Sequence, residues 1–227
     1  MAKKISAIIA AAGKSSRMNL KDGESKQFLE IDGKPVIQRT IEIFNASPYI
    51  CEIIVSARGC DINKIKEIAV AYNKVKSVTE GGETRFESVA GVVGRVSHDA
   101  DYIAVHDGAR CFVALEDIEK VALCAFKTGA ASAGCRVTDT IKRVDSNGRI
   151  EQTLERENLR AVQTPQIFRR DWYMHALRVI ERMGAGSACP DDCYIMEQAG
   201  YSVEIVECSK YNIKVTDEQD LAFWGIT

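Results

Sequence analysis

What this 227-residue chain lacks excludes several function classes at once. No apolar run approaches the roughly 20 residues that cross a bilayer. The Lys3-Lys4 start is followed by only about eight apolar or small residues before Lys14, too short and wrongly flanked for a secretory signal. A cytoplasmic protein with no membrane partner is therefore expected. Positive charge is not in surplus either: 30 Lys and Arg stand against 32 Asp and Glu, for a net charge of -2. No basic surface advertises nucleic acid as a partner, and any phosphate site must be a local concentration of Arg and Lys. None of the eight cysteines falls in a C-x-x-C pair, which in a reducing compartment reads as free, mostly buried thiols. Cys189 and Cys193, with Asp191 and Asp192, have no second pair to complete a tetrahedral metal set. The two common phosphate motifs are missing as well. The leading glycine of a P-loop would fall on Ile8, and the second and third glycines of a dinucleotide fingerprint fall on Ser15 and Met18.

What is present begins with Ile5 to Ile9, a short β-branched run that predicts a strand buried on both faces of a parallel sheet. It leads into Ala10, Ala11, Ala12 and Gly13, small enough for a ligand to lie against backbone N–H groups. Arg17 and Lys26 follow. On composition alone this is either a tight strand-to-helix turn with solvated cations or a site for a polyanion, most simply a nucleoside triphosphate.

The order of elements favours the second reading. Ile31 to Pro35 predicts a turn opening a helix whose stripe is Val36, Ile37, Thr40, Ile41 and Phe44; Ile53 to Val55 predicts a strand, and Ile62 to Tyr72 a helix. A third strand, Val75 to Thr79, ends in Gly81-Gly82, with Arg85 and Ser88 beyond. A fourth, Tyr102 to Val105, stops on His106-Asp107-Gly108-Ala109-Arg110. Alternation of this kind predicts an α/β fold, a mostly parallel twisted sheet flanked by helices, with ligands beyond the carboxyl ends of the strands. The alanine turn, the paired glycines and the His-Asp-Gly-Ala-Arg loop would share that edge.

The rhythm then breaks. Asp139 to Val144 and Arg149 to Leu154 flank Asp145-Ser146-Asn147-Gly148, a strong hairpin signal. Both strands are heavily charged, so the hairpin has little core of its own and predicts either a projecting arm stabilised by packing on a second subunit or a surface hairpin on its own domain. Glu155 to Gln166 returns the chain to the sheet. Trp172 to Ile180 predicts a helix, Pro190-Asp191-Asp192 opens another, Val203 to Val206 is a late strand, and a last helix starts at Asp217.

Seven blocks in order make the chain resemble the 2-C-methyl-D-erythritol 4-phosphate cytidylyltransferase family from end to end: Ala11-Ala12-Gly13 with Arg17-Met18, Lys26-Gln27-Phe28, Gly81-Gly82 with Arg85 and Ser88, His106 to Arg110, Thr138 to Lys142, Arg156 with Leu159 and Gln163-Thr164-Pro165-Gln166, and Asn212 to Thr216. The resemblance implies one Rossmann-like nucleotidyltransferase domain over residues 1–227, with 138–158 as a β-arm that crosses a homodimer. It implies attack by a sugar-phosphate oxygen on the α-phosphorus of CTP, with Mg²⁺ or another divalent cation near Asp107. Arg17, Lys26, Arg156 and Lys214 would be catalytic. Ala10, Ala11, Ala12, Gly13, Gly82, Arg85, Ser88 and Asp107 would hold the nucleotide, and Arg110, Thr140, Arg156, Thr164 and Lys214 the second substrate; His106 would be structural. Departures from the family pattern include Ser15, Ser25, Cys111, Arg160 and Pro190, the last where some members use a threonine on the sugar phosphate. A ribitol 5-phosphate cytidylyltransferase would share the nucleotide half, but Thr138 to Lys142 and the Arg156-x-x-Leu159 spacing favour methylerythritol phosphate. A non-catalytic nucleotide sensor would not need all four cations.

Overall fold

The computed structural model describes residues 3–13, 18, 24–217 and 220. Along the chain come β1 (Ile5–Ala11), a small hairpin of β2 (Glu30–Ile31) and β3 (Lys34–Pro35), α1 (Val36–Ala46), β4 (Ile50–Ala57), α2 (Ile62–Ala69), β5 (Val75–Glu80), α3 (Arg85–Val93) and β6 (Tyr102–Asp107). The second half holds α4 (Leu115–Thr128), β7 (Ala130–Arg136), β8 (Lys142–Val144), β9 (Ile150–Thr153), β10 (Arg160–Arg169), α5 (Arg170–Met183), α6 (Asp192–Gln198) and β11 (Glu204–Glu207). Seven strands form one sheet in the order β11-β7-β10-β6-β1-β4-β5. Only β10 runs against the rest, antiparallel to both β6 and β7.

The buried central strand follows from period two. Ile5, Ala7, Ile9 and Ala11 enter the apolar cluster under α1, α2 and α4, while Ile8 enters the cluster under α3, α5 and α6. Each fully buried isoleucine of β1 contributes roughly 1.5–3 kcal/mol. Fold class, the four expected strands (β1, β4, β5 and β6) and helices α1 and α2 stand where the sequence placed them. The elements α4 and β7 are additions: Ala130-Ala131-Ser132-Ala133-Gly134 carries no β-branched residue to announce a strand. Residues 160–169 not only return to the sheet but supply its one reversed strand. The helix expected from Asp217 lies, Asp217 and Asp220 apart, outside the described residues.

Hairpin β8–β9 forms its own two-stranded sheet, and every residue of both strands is exposed. Its turn is the Asp145 to Gly148 segment. Asp145 Oδ1 accepts from the Asn147 and Arg149 amides at 2.9 and 2.8 Å, and Gly148 takes φ of 79°, which a side chain would strain. The thiols differ from expectation. All eight are free, but only Cys111, Cys193 and Cys208 are buried, and Cys60 is exposed. Among the described residues no helix is long and apolar enough to cross a membrane.

Candidate active site

Strands β1, β4, β5 and β6 end at one edge, where Ala10 lies opposite both Ser56 and Asp107 and Ala57 lies opposite Glu80. The chain can turn there because the residues are small. A Cβ on Gly81 would fall 2.6 Å from both Ala12 Cβ and Ser56 Oγ, so the turn after β5 closes onto β1 only with glycine. A cleft opens over this edge. Ala10, Ala12 and Gly13 form its floor, Lys26 and Lys214 one side, and Gly82, Arg85 and Ser88 at the start of α3 the other, with Asp107 between. Gln27, Glu83, Thr84, Ala109 and Thr216 complete the lining; Gln27, Ala109 and Thr216 belong to noted blocks, but none of the five carried an expected role. Of the expected nucleotide-holding residues that the structure describes, one is not part of it. The Ala11 methyl packs into the core beneath α1, and Arg17 lies outside the described residues.

Asp107 is the electrostatic centre. Its Oδ1 accepts from Arg85 Nε at 3.2 Å and its Oδ2 from Lys214 Nζ at 2.8 Å, while Arg110 Nε stands 3.6 Å from Oδ2. Burial alone would raise its pKa, but the charges of Arg85, Lys214 and Arg110 outweigh this and hold the carboxyl well below the usual carboxylate range. Three cations on one carboxylate leave positive charge over. Arg85 is in turn tied to Asp192, with Nη1 2.5 Å from Oδ2. Burial works against the Arg85 charge, yet Asp192 and Asp107 together drive its pKa above the ordinary value.

His106 faces the opposite side of β6, its ring tilted against Phe44 with ring centroids 4.6 Å apart. Its Nε2 lies 3.2 Å from the Arg110 carbonyl, which can only accept, so Nε2 carries the proton. Nδ1 then accepts from the Thr164 hydroxyl at 3.0 Å, and Thr164 Oγ1 accepts from the Asp107 amide at 3.1 Å. Full burial pushes the imidazole pKa down to about 3, against a smaller opposing pull from Asp107. The ring is therefore a neutral strut that fixes the Arg110 loop, as its structural reading implies. The Thr164 hydroxyl is engaged in the same strut.

The two lysines of the cleft are tied to one loop. Lys26 Nζ donates to the Val215 carbonyl at 2.8 Å, and the Val215 amide donates to the Ala109 carbonyl at 2.8 Å. Buried Asn212 anchors the same loop from below, its Nδ2 2.8 Å from the Thr164 carbonyl, and its own carbonyl accepts from Arg110 Nη1 at 2.8 Å. Asn212 belonged to a noted block, but only Lys214 in that block carried an expected role. The Ser88 hydroxyl sits 3.1 Å from the Gly82 carbonyl and 2.8 Å from the Thr84 carbonyl, so its proton stays with the backbone and it meets a ligand as an acceptor.

A second cleft adjoins the first and shares Arg85, Asp107 and Lys214 with it. Arg110 and Thr164 line this second cleft, beside Gln163, Gln166, Pro190 and Asp191. Thr140 and Arg156 line neither. Both are exposed on the arm, where Arg156 Nη1 donates to the Thr138 carbonyl at 2.9 Å. Within one chain, then, the structure assembles every expected cation it describes except Arg156.

Asp107 does not suit a metal. Both its oxygens already accept from cations, and among the described residues no group of three His, Cys, Asp or Glu side chains could hold an ion. A divalent cation travelling with a polyphosphate would take its oxygens from the phosphates and water.

A family model described as 2-C-methyl-D-erythritol 4-phosphate cytidylyltransferase matches residues 5–225. A curated protein of that name from Clostridium tetani is 39% identical over 221 residues, covering 96% of this chain and 87% of its own. One from Clostridium acetobutylicum is 40% identical over 218 residues, covering 95% and 93%. Among solved structures, 4-diphosphocytidyl-2C-methyl-D-erythritol synthase from Anaerococcus prevotii superimposes with a TM-score of 0.86 at 27% identity, covering 98% of this chain and 95% of that one. A 2-C-methyl-D-erythritol 4-phosphate cytidylyltransferase from Francisella tularensis gives 0.82 at 27% identity, covering 98% and 99%.

Proposed function

The chain belongs to the 2-C-methyl-D-erythritol 4-phosphate cytidylyltransferase family, and from that premise we propose how its residues divide the work. The reaction moves CMP from CTP to 2-C-methyl-D-erythritol 4-phosphate, giving 4-diphosphocytidyl-2-C-methyl-D-erythritol and pyrophosphate. The observation that supports the assignment of roles is the common wall of Arg85, Asp107 and Lys214 between two clefts, which suits two anionic substrates meeting at one phosphorus.

The incoming phosphate is largely a dianion near neutral pH, so its oxygen attacks the α-phosphorus without a general base. Alignment and neutralisation of charge supply the rate. Cytosine lies against the backbone of Ala10 to Gly13 and Gly82, where carbonyls accept from its exocyclic amine; Ser88 offers a further acceptor. Lys26 and Arg17 hold the triphosphate and offset the charge gathering on pyrophosphate. Lys214, at the junction, touches the α-phosphate and the attacking phosphate, while Asp107 keeps its ammonium in place and meets the ribose. Arg110 and the Thr164 segment receive the second substrate. A divalent cation bound to the nucleotide phosphates would lower the repulsion between two polyanions. Thr140 and Arg156, remote from the cleft of their own chain, serve the site of a second copy through the arm of residues 138–158. That makes the working unit a homodimer.

Pyrophosphate release with Mg²⁺ and CTP tests this, with methylerythritol 4-phosphate and ribitol 5-phosphate compared in parallel. Release with the first alone is expected. Release with ribitol 5-phosphate alone would keep the nucleotide chemistry and refute the second substrate.

A further inference from the structure

One buried carboxylate that no expected role uses stands directly behind the site. Asp192, at the start of α6, is 1% exposed, and its two oxygens are divided between two partners. Oδ2 accepts from Arg85 Nη1 and Oδ1 from the hydroxyl of Tyr173, itself fully buried on α5. Its backbone amide donates to Gln166 Oε1 at 2.9 Å, and Gln166 Nε2 donates to Asp191 Oδ2 at 2.9 Å. One residue thus ties together α3, α5, α6 and β10. The Nε of the same guanidinium donates to Asp107, the carboxylate between the two clefts.

The fork of Arg85 shows what this tie does. Nε is committed to Asp107 and Nη1 to Asp192, while Nη2 is buried with no acceptor among the described residues. A guanidinium is planar and carries its donors in a fixed geometry, so two carboxylates on two of its nitrogens fix its plane and its placement against Asp107. We propose that Asp192, oriented by Tyr173, is a positioning residue that holds Arg85 so that Asp107 and Lys214 stay aligned at the junction of the two clefts. This rests on the assignment of the two clefts to the two substrates. Without the Asp192 charge, Arg85 retains Asp107 as its one close anion and draws that carboxylate away from Lys214. Misplacing a reacting group by about 1 Å costs on the order of 100-fold in rate. CTP affinity, set mainly by the floor of the first cleft and by Lys26, should change little.

The experiment compares Asp192→Asn, Asp192→Glu and Tyr173→Phe with the wild-type protein. It follows pyrophosphate release with both substrates, CTP binding by calorimetry and the thermal midpoint. Asparagine has nearly the shape of aspartate but no charge. In Asp192→Asn, kcat should fall at least tenfold while the Kd for CTP stays within about threefold, and Asp192→Glu should recover much of the loss. Tyr173→Phe, which frees the carboxylate from one partner only, should lower kcat by a smaller factor with the same unchanged Kd. Wild-type kcat in Asp192→Asn would overturn the proposal, as would parallel losses of kcat, CTP binding and thermal midpoint in all three variants. Should Asp192→Asn not fold, the kcat-to-Kd split in Tyr173→Phe decides. An inactive wild type that still binds CTP would point instead at the reaction assignment.

Discussion

The edge of the sheet around Asp107 and the arm that carries Arg156 hold charged residues of the same kinds in opposite surroundings. At the edge, each cation is held by partners from distant parts of the chain: Arg85 by Asp107 and Asp192, Lys214 by Asp107, Lys26 by the Val215 carbonyl. On the arm, charged pairs such as Arg143 with Glu151 are local and exposed, with side chains 62% and 47% accessible. Its apolar residues are uncovered too, Ile150 at 66% and Val144 at 50%. Buried charge networks fix geometry because each member is costly to leave unpaired, whereas exposed pairs contribute little. The edge is therefore preorganised within one chain. Both strands of the arm are exposed along their whole length, and in the proposed arrangement Thr140 and Arg156 serve the site of a second copy.

That contrast can be broken in graded ways. The largest effect is expected from Asp107→Asn, which leaves Arg85, Arg110 and Lys214 without their common counter-charge. Turnover should fall by about 10³-fold and stability by about 3–5 kcal/mol, read by pyrophosphate release and denaturant unfolding. Next, Lys26→Ala and Arg17→Ala should each lower turnover by about 10²–10³-fold, far out of proportion to any change in stability. Near-normal turnover in either would remove its assigned role. Replacing residues 141–153 by a short turn should convert a dimer to a monomer by light scattering while the fold, followed by circular dichroism, persists. A wild-type protein that is already monomeric would refute the shared site.

A smaller effect concerns His106. Its folded pKa near 3 lies below the unfolded value of about 6.5, so the unfolded chain binds the extra proton between those values. The stability contributed by the neutral ring is present above pH 6.5 and is lost as pH falls, by about 2 kcal/mol at pH 5. His106→Gln should flatten the dependence of unfolding free energy on pH over that interval. Asp107 does not confound it, because a depressed carboxylate loses its contribution only below about pH 4. Least of all, Arg143→Ala on the arm should change stability by under about 0.5 kcal/mol.

How far the sequence alone reached follows the same contrast. Local signals were legible: the β-branched run of β1, the glycines after β5, and the Asn147-Gly148 turn all state their conformation within a few residues. The carboxyl-edge rule then brought Ala12, Gly82 and Asp107 together correctly. What escaped was set by tertiary contact. Strand β7 is written in alanine, serine and glycine, and its identity depends on β10 and β11 beside it. Asp192 looked like a helix opener because its partners, Arg85 and Tyr173, lie 107 and 19 residues away. Ala11 was grouped with its neighbours, although strand alternation turns its methyl into the core.

The most direct test of a preorganised cleft completed by a partner's arm is to mix the two kinds of defective subunit. Lys26→Ala chains keep an intact arm, and Arg156→Ala chains keep an intact cleft. Each should be nearly inactive alone. After unfolding and refolding together in equal amounts, random pairing should restore about a quarter of the wild-type sites, seen as pyrophosphate release from CTP and methylerythritol 4-phosphate. A mixture no more active than the mean of its two components would contradict the account.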